Sequence, residues 1–347
     1  MQPAFRMERL ESFRGLRALM WVQDVLYASR GYELFSARVG TGIIDWQFAA
    51  SFRAPIWRRF TSRHRLSARL FRDGFHALTI LQSGAMIAAV PGAIIQLAPK
   101  SERFEISHAI ARGTRPLNLC ATPQGRVYWG EYFDNRERDE VHIYGSYDGG
   151  LSWQIVHTFP RGAIRHVHNI VYDRWRDCLW ILTGDNGSEC RILRATPDFK
   201  NIETVVHGKQ QARAVALVPM EDAVYFASDT PLESNHIYRL DNAGRIERAA
   251  ELMSSSIYGC GLGSSLFFST MAEPSAVNSQ KVVGLYGAID GESWRNLMFW
   301  RKDIWPMRFF QYGNAFFPTG ENTSGVLALT TIAVADEDST TTLWRIP

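Results

Sequence analysis

The sequence predicts an all-β protein, a β-propeller of four-stranded blades, and three observations carry that expectation. Short apolar strands ending in small or polar residues return at 86–90, 127–132, 179–185, 224–229, 266–270 and 315–321. A return every 40 to 50 residues or so is the spacing of a unit that holds four short strands. Each such strand has a turn and another alternating segment before it, and one or two more after it. No helix of any length is needed to fill the chain.

The units justify themselves in order. In the first, 76–81 alternates, Gln82, Ser83 and Gly84 make the turn, and 86–90 follows. In the second, 117–120 leads through a Pro-Gln-Gly turn at 123–125 into 127–132, and then come 141–144 and 153–156. In the third, 179–185 is followed by 191–193 and 203–206, and in the fourth 224–229 is followed by 236–240 and 245–248. Six units are visible from about residue 70 onward, and the expected blade count is five to seven. Residues 1–69 are then a basic segment that caps or closes the ring, with its strand-like stretch at 32–52, and 70–347 is the propeller.

Composition bounds the function. The chain has 347 residues, 46% hydrophobic and 21% charged, which excludes a disordered or collagen-like protein. Lys plus Arg is 38 against 35 acids, a net charge of +3, so no nucleic-acid partner is expected. The charge is uneven, because residues 1–75 hold 13 Arg and 6 acids. The cluster Arg53, Arg58, Arg59, Arg63, Arg65, Arg69 and Arg72 suits an acidic ligand or partner, or forms a solvated face. Cys120, Cys178, Cys190 and Cys260 make no CxxC pair, and buried reduced thiols are expected. The first ten residues carry no apolar leader, and the run 16–27 is interrupted by Arg17, Gln23 and Asp24. Neither a signal peptide nor a membrane span is therefore read here, and the expected location is the cytoplasm unless the start is misassigned.

One turn carries a sharper pattern, Ser146, Asp148, Gly150, Ser152 and Trp153 in the arrangement S-x-D-x-G-x-[ST]-W. Asp148 can accept backbone N–H groups of the turn, Gly150 permits a positive φ, and Trp153 packs between strands. Fainter copies stand at 289–294, 196–198 and 241–244. The pattern and the repeat period resemble the sialidase-like superfamily of Asp-box (BNR) propellers. Segments 115–118, 130–135 and 166–170 resemble its uncharacterised bacterial glycosidase-like branch. The resemblance implies a carbohydrate-active enzyme, a glycoside hydrolase acting on a polar or acidic glycan in a central pocket. Phe52, Arg53 and Pro55 match the letters of that superfamily's F/Y-R-x-P motif, but about twenty residues ahead of the strand at His76.

Polar residues at the ends of the inner strands are the candidate site residues. Glu131, Asp185 and Asp229 occupy equivalent places in three consecutive units, where two carboxylates could flank a glycosidic bond. They could equally cap turns. His166 and His168, two apart on a strand, point to one side and could bind a metal, serve as a general base or sit hydrogen-bonded within the sheet. Arg115 and Arg213 could fork onto a carboxylate or sulfate of an acidic sugar, or bridge to neighbouring acids. Asp134, Asn135, Glu189 and Tyr258 complete the expected substrate-binding set, with Gln311, Tyr312 and Glu321 further along.

Two alternatives stand beside the hydrolase, a polysaccharide lyase with histidine as base and a non-catalytic propeller that binds a glycan or protein. The expected partner is a glycan, with no nucleic acid and no membrane, and the oligomeric state is open. No cofactor is required by the pattern, and a divalent metal on His166 and His168 is the one candidate.

Overall fold

A computed structural model describes residues 7–40, 42–278 and 280–346. Its strands, in chain order, begin with β1 (Glu8–Arg14), β2 (Arg17–Gln23), β3 (Val25–Arg30), β4 (Glu33–Arg38) and β5 (Gln47–Phe52). Two short helices follow, α1 (Ile56–Thr61) and α2 (Arg65–Phe71). Next come β6 (Ala77–Ile80), β7 (Met86–Val90), β8 (Ala93–Leu97) and β9 (Arg103–Ala109). The middle of the chain holds β10 (Cys120–Ala121), β11 (Val127–Gly130), β12 (Val141–Ser146) and β13 (Gln154–Phe159). After these run β14 (His166–Asp173), β15 (Cys178–Gly184), β16 (Arg191–Ala195) and β17 (Ile202–His207). The set β18 (Ala214–Pro219), β19 (Ala223–Ser228), β20 (Asn235–Asp241) and β21 (Ile246–Leu252) is the next. The last are β22 (Ser256–Leu262), β23 (Ser265–Thr270), β24 (Val282–Ile289), β25 (Glu292–Arg301), α3 (Met307–Phe310), β26 (Asn314–Phe316), β27 (Thr319–Asn322), β28 (Val326–Ile332) and β29 (Thr340–Arg345).

The all-β content stands, but the expected propeller is corrected. Strand pairing gives five four-stranded sheets, together with the run β27-β2-β3-β4-β5 in one part of the chain and the run β9-β8-β7-β6 in another. A radial series of separate four-stranded blades is not what this pairing describes. Periodicity locates strands without saying which edges find partners, and an unpaired edge is open to a further strand. Thus β27 adds to β2 in parallel, Met20 facing Thr319. Residues within 1–69 supply five strands and α1, and α2 begins there and runs to Phe71.

The chain divides into two compact units, Phe75–Ile257 and the pair Met1–Gly74 with Tyr258–Pro347. In the first of these, three sheets each take four consecutive strands in sequence order, β10–β13, β14–β17 and β18–β21. The recurring apolar strand is the second of each, bonded on both sides, which is why β15 and β19 are buried along their whole length. Successive sheets share apolar layers. Tyr128, Ile143, Val167, Ile170 and Ile181 fill one, and Trp180, Leu182, Leu217, Phe226 and Tyr238 the next. In the other unit, Leu262, Phe267, Leu285, Ala315, Leu327 and Leu329 form the main layer, while β1 pairs antiparallel with β29 from Glu8↔Arg345 to Arg14↔Thr340.

The turn motif at 146–153 folds as its chemistry requires. Asp148 accepts hydrogen bonds from Ser146 Oγ and from the amides of Leu151 and Ser152, while Gly149 and Gly150 take positive φ. Trp153 donates to Ser107 Oγ and packs against Trp129. The copy at 196–198 repeats the scheme, with Thr196 Oγ1 donating to Asp198.

Candidate metal centre

The site is built at the start of the first strand of one sheet. Strand β14 opens with His166, Val167 and His168, and its pairing with β15 slips between Val167 and Asn169. The slip is a β-bulge, an extra residue that turns the strand and re-aims its side chains. The first strand of the next sheet, β18, slips at the same place, between Ala214 and Ala216. Side chains of the two strands knit laterally, since Asn169 Nδ2 donates to Val215 O at 2.9 Å and Asn118 Nδ2 donates to Asn169 Oδ1 at 3.0 Å.

The bulge sets the two imidazoles side by side, centroids 4.9 Å apart and planes tilted by 46°. His166 Nε2 and His168 Nε2 lie 3.0 Å apart. Asp185, one residue past β15, places Oδ1 3.6 Å from the first and 3.3 Å from the second. All three residues are buried. The far nitrogens are both engaged, His166 Nδ1 on Phe133 O at 3.1 Å and His168 Nδ1 on Ala214 O at 2.9 Å. A carbonyl oxygen only accepts, so each Nδ1 carries a proton, and the Nε2 atoms face each other and Asp185 either as lone pairs or with a proton to donate. Two lone pairs at that separation repel unless a cation or a proton sits between them.

Charged neighbours surround the triad. Arg165 Nη1 donates to Asp185 Oδ2 at 2.8 Å and its other arm reaches Asp134, while Arg213 Nη2 lies 3.3 Å from Asp185 Oδ1 and 3.5 Å from Asp229 Oδ2. Burial pushes the Asp185 carboxyl up, but hydrogen bonds from His166 and His168, with the Arg213 charge, outweigh it and hold the group well below the usual carboxylate range. Burial lowers His168 below an ordinary histidine, partly offset by Asp185. The ring of Tyr132 packs on His166 with centroids 4.3 Å apart. Its hydroxyl is pushed up to about 12, chiefly by burial, with the charges of Asp185 and Asp229 adding.

The structure thus brings His166, His168, Asp185, Arg213, Asp229 and Asp134 together in one unit. Glu131 turns elsewhere. Its carboxylate takes Arg112 on both oxygens and the backbone N–H of His142. Asn135 closes its own turn on Asp139, and Glu189 pairs with Arg138. Arg115 is half-buried in the loop before β10. Tyr258 belongs to the other unit, edge-on to Phe316, and Arg53 of the F/Y-R-x-P match is exposed just before α1. A cleft of about 470 Å³ beside Arg176, Trp180 and Asn242 shares no residue with the triad.

Arg165, Tyr132 and Gln210 are participants the sequence reading missed. Gln210 Nε2 donates to Asp185 O at 3.1 Å while its Oε1 accepts from Thr230, so it fixes the backbone under the carboxylate. A signal for Arg165 was present, because Arg165 and Arg213 each stand immediately before a first strand, β14 and β18.

No protein-family model matches the chain, and no curated protein matches it. The resemblance to Asp-box sialidase-like proteins is therefore corrected, and the turn at 146–153 is local chemistry rather than a family mark. Solved structures are similar in fold. One from the mitotic checkpoint complex has 10% identity and a TM-score of 0.57, over 100% of this chain and 98% of that one. One from a nidogen/laminin complex has 9% identity and a TM-score of 0.51, over 86% and 97%. A GH74 xyloglucanase from Xanthomonas campestris has 13% identity and a TM-score of 0.57, over 85% of this chain and 47% of that one. Likeness at such identity concerns the fold alone.

The expected glycoside hydrolase is corrected with it. The strand pairing supplies no propeller pocket to hold a sialidase-type site, and the triad of two imidazoles and one carboxylate establishes no such mechanism. The lyase and glycan-binding alternatives lose the same pocket. Among the described residues, no helix is long and apolar enough to cross a membrane.

Proposed function

We propose that the protein binds a divalent first-row transition-metal ion through His166 Nε2, His168 Nε2 and Asp185 Oδ1. The observation that carries this reading is the triangle of donor atoms, with edges of 3.0, 3.3 and 3.6 Å. Ligands about 2.0–2.1 Å from a tetrahedral zinc ion are separated by about 3.3 Å, the mean of those edges. Imidazole donors favour zinc or ferrous iron over magnesium or calcium, which take oxygen.

The surroundings support the same reading. Carbonyl acceptors on both Nδ1 atoms are the usual outer partners of metal-binding histidines, fixing ring orientation and tautomer. The carboxylates of Asp185 and Asp229 face Arg165 and Arg213, while Asp134 is shared by Arg165 and Arg136, so the immediate charges balance. Arg213 competes with the ion for Asp185 Oδ1, so affinity should rise when that guanidinium is removed. Three protein ligands leave a coordination position open, and a bound ion there would polarise a water or an anionic ligand.

Metal analysis of protein purified without chelator, followed by titration with cobalt(II), tests the reading. One equivalent of metal and the visible absorption of a tetrahedral cobalt site are expected, both lost in His166→Ala and His168→Ala. Substoichiometric metal and no cobalt spectrum would leave the imidazole pair holding a shared proton instead, and the reading would fall.

A further inference from the structure

Helix α1 is amphipathic the wrong way round for a globular protein, in which the apolar stripe normally faces the core. Its polar side is turned inward. Arg58 Nη1 donates to Asp73 Oδ1 at 2.6 Å, Thr61 Oγ1 donates to Asp73 Oδ2, and no residue of the helix is buried. Its apolar side faces out, with Ile56 71%, Trp57 50% and Phe60 62% exposed. Phe71 of α2 extends the patch, its ring 5.6 Å from that of Trp57. Exposing this much apolar surface on adjoining residues stabilises nothing in water, and such patches mark contact surfaces.

The charge around the patch has one sign. Arg53, Arg59 and Arg63 are exposed and pair with no carboxylate among the described residues, and Arg63 stands over the Phe60 ring at 5.6 Å. The acids of the region are withdrawn beneath other arginines. Asp73 lies under Arg58, and Asp338 and Asp303 under Arg69, which is itself buried and also donates through Nε to Phe310 O. What reaches solvent is therefore an aromatic and aliphatic patch flanked by guanidiniums that meet no carboxylate among the described residues.

We infer that the α1–α2 hairpin docks on an anionic lipid surface, Ile56, Trp57 and Phe60 entering the boundary between headgroups and acyl chains while Arg53, Arg59 and Arg63 meet the headgroups. Arginines beside Trp, Phe and Leu on a short amphipathic helix are the composition of an interfacial element. Neither half suffices alone, since apolar insertion and electrostatic attraction must add for stable attachment. The contact is peripheral. It rests on nothing at the metal centre.

Flotation of the full chain with vesicles tests this. Vesicles of phosphatidylserine and phosphatidylcholine should carry the protein upward, phosphatidylcholine alone should not, and added salt should release it. Arg59→Glu with Arg63→Glu should weaken binding more than about 25-fold, taking about fivefold for each arginine lost. Trp57→Ser with Phe60→Ser should weaken it about tenfold or more. Both variants alter exposed side chains, so their melting temperatures should match the parent's. Absence of flotation, or flotation indifferent to both variants, overturns the inference. Arginine-dependent retention on polyglutamate without vesicle binding also overturns it, and assigns the face to an acidic protein partner.

Discussion

Gly130 approaches Val167 so closely that a β-carbon on the glycine would lie 2.4 Å from the valine Cβ. The end of β11 thus rests on the residue between the two imidazoles, and Val167 N–H donates to Glu131 O at 3.0 Å to hold it there. A methyl group has no room, so Gly130→Ala should shift the start of β14. The expected cost is about 1–3 kcal/mol in urea unfolding, with weaker cobalt(II) binding. A Gly130→Ala protein that loses stability yet keeps the parent's cobalt(II) affinity would count against the link.

Metal should stabilise the fold by mass action. An ion at a hundred times its dissociation constant adds about 2.7 kcal/mol if only the folded state binds it. Zinc should therefore raise the unfolding midpoint of the parent protein and leave that of His168→Ala in place. Equal shifts in both would locate the ion elsewhere.

Removing the ion pair of Glu131 and Arg112 should affect folding and not metal content. Glu131 is 3% exposed, so Glu131→Gln leaves a guanidinium short of its partner and should cost about 2–4 kcal/mol. Metal stoichiometry should stay at the parent value, and a drop in it would place Glu131 among the ligands' supports.

Asp148 gives a prediction in pH. Burial raises its carboxyl, yet the hydrogen bonds from Ser152, Ser146 and Leu151 outweigh this and hold it below an ordinary aspartate. A depressed native pKa means the contribution is complete above the unfolded value, about 3.9, and is lost as pH falls through the native one. Asp148→Asn should thus be less stable than the parent by about 1 kcal/mol at neutral pH, and the gap should close in acid. A gap that persists unchanged to the lowest pH would show that the charge contributes nothing.

Strand positions were legible because burial leaves a periodic trace. Residues 86–90 are a strand as read, and 127–130, 179–184 and 224–228 lie within strands at the expected places. Pairing left no such trace. The stretch 315–321 reads as one strand, but Pro318, which lacks an N–H, divides it, and β26 and β27 join different sheets. The helices at 56–71 were missed because, at six and seven residues, neither is long enough for a helical period to show. At the site, His166, His168 and Asp185 were legible by residue type and place. The separation of Glu131 from Asp185 and Asp229 was not, because it depends on Arg112, a loop residue whose reach no spacing rule conveys.

The antiparallel ladder between β1 and β29 sets a timetable for biosynthesis. Glu8 leaves the ribosome more than three hundred residues ahead of its partner Arg345. At roughly 5–20 residues per second this is a wait of about 17–70 s. Until then β1 is a strand without its neighbour, exposed to any passing edge. Chaperone occupancy on the nascent chain should therefore persist at this segment until β29 has emerged.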